Sequence, residues 1–245
     1  MAKFLIGTIP VVGHVSPALA VVRELINRGH EVCWYTGSAF RAKIESTGAR
    51  FVPITSGLDY SYPENVPSEW TDHVTQGTVT TAPEALIVPT LRALAQEDVL
   101  IVATTVGKSI ESIPPDAIPA NARIESFIPH PELLPNVDVM ITNGGYNGVQ
   151  MALAQGVPLV AAGQSEDKPE ICARIEWAGV GINLKTGKPT QQQIRSAVRK
   201  LLTDRCYKTR AKDFQTAIRQ YDAPTLAATL LEQLAATKQP VFRTE

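Results

Sequence analysis

Five stretches of this sequence put polar side chains or paired glycines where the chain leaves a buried strand. In the fullest of them, 137–142 reads as a strand, Gly144 and Gly145 as a turn, and Val149, Ala152 and Leu153 as the apolar side of a helix. Glycines there let the backbone turn sharply and come close to a ligand. The helix that follows points free amides above the strand end, and phosphate is the usual guest of such a site. Asn147 and Gly148 lie at that helix start, and the Asn147 side chain can donate as well. A tight turn that binds nothing accounts for the same local pattern. Residues 143–148 lack the lysine and the serine or threonine that close a P-loop, and Gly7 and Gly13 have the wrong spacing for a dinucleotide fingerprint.

The other four stretches are less complete. Gln76-Gly77-Thr78 is a second strand-end glycine, where Thr78 reaches a phosphate or simply holds a turn. Glu166 and Asp167 lie in the loop after the strand at 157–161, suited to sugar hydroxyls or to capping the helix that starts at Asp167, Lys168 and Pro169. Phe127 and His130 flank Pro129; Phe127 offers a face to a flat base, or is an ordinary core aromatic. His14 follows the first strand, in the loop where parallel sheets collect ligands. An imidazole there suits a general base near neutral pH, although loop histidines are more often plain surface. His30, beside Gly29, reads as a helix-end residue facing the dipole. The histidines have no short metal spacing.

These residues need a scaffold of alternating strands and helices, and the chain reads as one. A strand at 3–9 is followed by a helix for which Ser16 is the cap and Pro17 the first residue, with Leu19, Val22, Leu25 and Ile26 on its apolar side. Strands at 31–35 and 50–54 flank a short helix at 39–46. Residues 56–70 are rich in Pro, Ser, Gly and Asp, as a loop or linker would be. A strand at 73–75 comes next, then a helix at 84–95 with a break expected at Pro89. Strands follow at 99–104, 123–127, 137–142, 157–161 and 180–184. Helices end at Gly156 and Gly179, Thr190 caps another, and helix continues to about residue 236 with a break at Asp222-Ala223-Pro224. Strand-helix alternation of this kind predicts an α/β fold with parallel sheets.

Composition narrows the function classes. The chain has 245 residues, 44% hydrophobic and 19% charged, enough to bury a core. Lys and Arg number 23 against 24 Asp and Glu, a formal charge of −1, so nothing favours nucleic acid. Cys33, Cys172 and Cys206 are far apart and form no CxxC pair, which argues against a cysteine zinc site and fits a reduced cytoplasmic setting. The N-terminus opens on a strand pattern, which predicts neither a signal peptide nor a stable membrane insertion.

Taken together, the motifs resemble the nucleotide-sugar-dependent glycosyltransferases of the GT-B type, and most closely their macrolide and natural-product branch. Residues 13–20 and 28–32 look like that family's opening motif; 142–148, 152–158, 166–170 and 178–181 match its donor domain in order and spacing. The resemblance covers about residues 1–57 and 71–236. It implies two Rossmann-like lobes and inverting transfer without a metal or other cofactor. The partners it implies are a UDP- or dTDP-sugar and a hydroxyl of a small hydrophobic acceptor. His14 falls on the catalytic base. Asn143 takes the place of a histidine used on the phosphates, with Gly144, Gly145, Tyr146, Asn147 and Gly148 beside it and Thr78 near the diphosphate. Phe127 stands for a base-stacking tryptophan and His130 for a glutamine at the nucleoside. Asp167 and Lys168 stand for an Asp-Gln pair that holds the transferred sugar.

The sequence also departs from that pattern. Met151 stands where many members carry a glutamate for the ribose hydroxyls, Lys168 brings a charge, and Asn143 is neutral. Most of the acceptor lobe is absent, including the region of the aspartate that orients the base. The expected organisation is a strongly truncated N-terminal lobe at 1–57, a linker at 58–70, a donor-binding domain at 71–237 and a tail at 238–245. Its three N-terminal strands have an open edge, which packs on the donor domain or forms a homodimer. A nucleotide-sugar-binding protein with weak or no transfer is the second reading. A structural or interaction protein and a nucleoside-diphosphate-sugar isomerase or hydrolase are further classes.

Overall fold

The structure is a computed structural model that describes residues 1–62, 65, 85–105 and 109–242. The expected strand at 73–75 and the site residue Thr78 lie outside the described residues. The chain divides into two compact units, Met1–Val74 with Tyr221–Glu245, and Thr75–Gln220.

In the first unit, strands β1 (Lys3–Gly7), β2 (Glu31–Thr36) and β3 (Arg50–Pro53) form a parallel sheet in the order β1-β2-β3. Helix α1 (Val12–Asn27) joins the first two strands and α2 (Arg41–Glu45) the second two. Phe4 pairs with Val32, Ile6 with Trp34, and Trp34 with Phe51, so one apolar set shares one face. Val15, Leu19, Val22 and Leu25 of α1 cover it, at the spacing expected from the sequence. Each such side chain contributes about 1.5–3 kcal/mol on full burial. Trp34 is fully buried, and its Nε1 donates to Thr8 Oγ1 at 3.0 Å.

Helix α1 starts a turn earlier than Ser16 and Pro17 suggest. Val15 is fully buried, and the added turn is closed by His14 and Val15 N–H groups donating to the Val11 carbonyl at 3.0 and 3.1 Å. Pro17 therefore sits inside the helix, and His14 is a helical residue in the first turn instead of a loop residue.

The long C-terminal helix, α9 (Ala223–Thr237), belongs to this unit, with Ala228 and Leu231 joining the core around α1. The compact units part at 220, inside the expected stretch 71–237, because α9 packs on α1. His30 has a role there that its place beside Gly29 does not suggest. Its Nδ1 accepts from the Ala2 N–H at 3.1 Å, which leaves Nε2 to donate to Glu232 of α9 at 2.6 Å. Arg28 adds a second link to Glu232 at 2.7 Å.

The second unit contains α3 (Ile87–Leu94), β4 (Ile101–Thr104), β5 (Ala122–Glu125), α4 (His130–Leu133), β6 (Met140–Thr142) and α5 (Tyr146–Ala154). It continues with β7 (Leu159–Ala161), α6 (Lys168–Trp177), β8 (Gly181–Asn183), α7 (Gln191–Thr203) and α8 (Arg205–Arg219). Strands β4-β5 and β6-β7-β8 pair in parallel. Strand β7 is buried on both faces: Val160 joins the cluster with Leu91, Ile194 and Leu201, while Leu159 and Ala161 join Val149, Ile171 and Ile175. Helices on both faces are what a parallel sheet requires. Pro89 makes no break, since it lies in the first turn of α3, where a helix needs no N–H donor. Thr190 caps α7 with a reciprocal pair: its Oγ1 accepts from Gln193 N at 3.2 Å, and Gln193 Oε1 accepts from Thr190 N at 2.9 Å. The Rossmann-like α/β fold, with a short N-terminal lobe, is as the sequence implies. Among the described residues no helix is long and apolar enough to cross a membrane.

Candidate functional site

Thr142 pairs with Ala161 at the ends of neighbouring parallel strands, so the loops after β6 and β7 leave the sheet side by side. Carboxyl ends of parallel strands are where open α/β sheets place their ligands. Two hydrogen bonds shape the first loop. The Gly144 N–H donates to Thr142 Oγ1 at 3.2 Å, and the Gly145 N–H donates to Asn143 Oδ1 at 3.2 Å. The turn needs Gly144 in the left-handed region, φ +82°, and a Cβ there would meet Cys172 Sγ at 2.6 Å. Burial pushes the Cys172 thiol up, so it stays a neutral filler beneath the turn.

Gly145 then stands at the N-cap of α5 with no side-chain cap bond, and the first turn of α5 holds no acid. Its leading amides have no partner within the helix, and the dipole leaves partial positive charge there. Tyr146 is exposed, while Asn147 and Gly148 are half-buried. An anion seated here meets amides and uncharged polar side chains.

The second loop presses against the first. Ala162 N donates to the Thr142 carbonyl at 2.9 Å, and a Cβ on Gly163 would overlap the Asn143 carbonyl oxygen. Glu166 takes a left-handed conformation, φ +56°, unusual for a residue with a side chain. Asp167 is exposed and makes no side-chain cap bond to α6, so its carboxylate does not do the capping that sequence offers as one explanation. Lys168 is buried. Its Nζ donates to Ser165 Oγ at 3.1 Å and to Glu166 Oε2 at 2.5 Å.

The structure therefore brings together Asn143, Gly144, Gly145, Tyr146, Asn147, Gly148, Asp167 and Lys168 at one sheet edge. Phe127 and His130 follow the end of β5; Phe127 is two-thirds exposed and no core aromatic, and His130 opens α4. His130 also lines a cavity of about 680 Å³ that is flanked by β4 and β6. Met140, Val102 and Leu91 are among its walls together with Asp98 and Asp138, whose carboxylates do not suit a diphosphate. His14 is exposed in the first turn of α1, in the other unit. Sequence reasoning missed Gly163 and Ser165 as parts of the site. A glycine directly after the apolar run 157–162 was the available signal for Gly163; the hydroxyl at 165 gave none. Among the described residues no group of His, Cys, Asp and Glu is placed to hold a metal ion.

Comparison with known proteins identifies the family. Residues 88–234 match the model of the erythromycin biosynthesis protein CIII-like C-terminal domain, and residues 4–113 that of the glycosyltransferase family 28 N-terminal domain. The chain is 49% identical over 162 residues to the 4'-demethylrebeccamycin synthase of Lentzea aerocolonigenes, covering 66% of this chain and 38% of that protein. It is 35% identical over 194 residues to UDP-glucosyltransferase B1 of Starmerella bombicola, covering 75% of this chain and 45% of the relative. The chain thus spans less than half the length of these relatives. Among solved structures, the glycosyltransferase VinC in complex with dTDP superposes with a TM-score of 0.74 at 14% identity, over 96% of this chain and 100% of that one.

Proposed function

The chain belongs to the GT-B nucleotide-sugar glycosyltransferases, in their macrolide-type branch, and from that membership we propose that it moves a sugar from a UDP- or dTDP-sugar to a hydroxyl of a small hydrophobic acceptor. The observation that carries this reading is the unblocked N-terminus of α5 set beside the acidic loop after β7. In this proposal the diphosphate sits on the amides at 145–148, with Asn143, Tyr146 and Asn147 around it. Phe127 stacks on the base and His130 lies at the nucleoside. Asp167 accepts from sugar hydroxyls, with Lys168 behind it. Relatives include a UDP-glucosyltransferase and a fold neighbour solved with dTDP, which supports a pyrimidine nucleoside diphosphate as leaving group.

The transfer balances simply. His14 takes the acceptor O–H proton as the acceptor oxygen bonds to the anomeric carbon. The bond from that carbon to the phosphate oxygen breaks, configuration inverts, and the nucleoside diphosphate leaves with the electron pair. Amides and polar side chains at α5 stabilise the charge that develops on it.

A second reading has a specific observation in its favour. Among the described residues the first unit contains three strands, and the matched segments cover 38% and 45% of the relatives above. A protein that binds the nucleotide sugar with little or no transfer fits that size. Calorimetry of the purified chain with UDP, dTDP and their glucose conjugates tests both readings; no heat at millimolar ligand would sink them together. Where binding is seen, transfer to a phenolic or macrolide acceptor separates the two.

A further inference from the structure

Lys168 is a costly residue where it stands. It is the first residue of α6, where a cation opposes the helix dipole, and it is buried. Its stem packs between the two loops: a Cβ on Gly163 would lie 2.9 Å from Lys168 Cβ, and one on Gly144 3.6 Å from it. Its ammonium is spent on Ser165 Oγ and Glu166 Oε2. Glu166, in turn, is held in a left-handed conformation that its side chain disfavours. Asp167, between them, is exposed and bonds to no helix amide. Strain and buried charge of this kind persist where the surroundings hold them in place, and here they sit at the edge of the site.

We propose that Lys168 is a positioning residue that selects an uncharged donor sugar. This rests on the donor-site reading above. The ammonium engages the partly exposed Glu166 carboxylate in an ion pair, and Asp167 is left as the loop's carboxylate for the sugar hydroxyls. Because Glu166 neutralises Lys168, its ammonium is not available to a sugar carboxylate, and Asp167 repels one. The loop therefore accepts a neutral hexose and rejects a uronic acid.

The test is calorimetry with UDP, UDP-glucose and UDP-glucuronate on the full chain and three variants, with circular dichroism to check folding. The wild type is expected to bind UDP-glucose about tenfold more tightly than UDP-glucuronate. Lys168→Met releases Glu166 and is expected to lose about tenfold in UDP-glucose affinity while UDP affinity stays within about twofold. The double variant Lys168→Met with Glu166→Gln removes the freed carboxylate and is expected to recover most of that loss. Glu166→Gln alone changes a partly exposed side chain and does not depend on Lys168→Met folding. It frees the ammonium and is expected to tighten UDP-glucuronate about fivefold with UDP unchanged. Equal losses for UDP and UDP-glucose in Lys168→Met would reduce Lys168 to a structural role and overturn the proposal. Unchanged sugar preference in Glu166→Gln would overturn it as well. Failure of the wild type to bind UDP at all is a different result: it removes the donor-site reading, and this inference falls with it.

Discussion

Gly163 approaches Asn143 so closely that a Cβ built on it would stand 2.1 Å from the Asn143 carbonyl oxygen. The contact joins the two site loops, and its far side is backbone, which cannot swing away as a side chain does. Lys168 Cβ closes the other side at 2.9 Å. Gly163→Ala must therefore push the loops apart, an overpacking cost of about 1–3 kcal/mol. Urea denaturation is expected to show that loss, and calorimetry with UDP a weaker site, because the Asn143 turn moves. An unchanged denaturation midpoint would mean that the loops yield freely and are not a preformed site.

Asn143→Asp separates fold from ligand. An aspartate still accepts the Gly145 N–H, so the turn keeps its bond. Its charge lies at the start of α5, which it favours by about 0.3–1 kcal/mol. The same charge repels a diphosphate. Thermal stability is expected to hold or rise while UDP affinity falls about tenfold or more. A parallel rise in both would place the anion elsewhere.

Much of the fold was legible because burial and local chemistry agree there. Val15, Leu19, Val22 and Leu25 keep helical spacing, the apolar run at 157–161 holds a strand buried on both faces, and Thr190 with Gln193 writes its own cap. Where the two conflict, tertiary packing won. Ser16 and Pro17 signal a helix start, yet burial of Val15 draws the helix back to Val12, and His14 goes with it. Ala228 and Leu231 announce an apolar side of α9 without saying that α1 is its partner. Within the site, the glycine turn was readable from its residues. The left-handed Glu166 and the buried Lys168 were not, since neither residue type is one that such positions favour.

Glu232 makes the attachment of α9 sensitive to acid. The hydrogen bond from His30, and after it the one from Arg28, holds its carboxyl below the usual carboxylate range. A lowered folded pKa adds stability that is fully present above the ordinary pKa and is lost as pH falls through the folded one. The first unit is thus expected to weaken on the acid side of the carboxylate range. Glu232→Gln keeps the shape and removes the titration. Urea midpoints measured from about pH 3 to 6 should fall less steeply toward acid in the variant than in the wild type. Parallel pH profiles would show that the Glu232 links to Arg28 and His30 contribute nothing in solution.

His14→Ala tests the catalytic assignment with little disturbance to the fold. The side chain is exposed in the first turn of α1, so the stability change is expected to stay within about 0.5 kcal/mol. The N–H bond that closes the added turn, from His14 to the Val11 carbonyl, is backbone and survives the substitution. Loss of the proton acceptor is expected to abolish transfer to a phenolic acceptor while calorimetry shows UDP binding nearly intact, since the amides proposed for the diphosphate belong to α5 in the other unit. Transfer that survives the substitution would assign the base to another residue. Loss of transfer and UDP binding together would give His14 a structural part in the donor site instead.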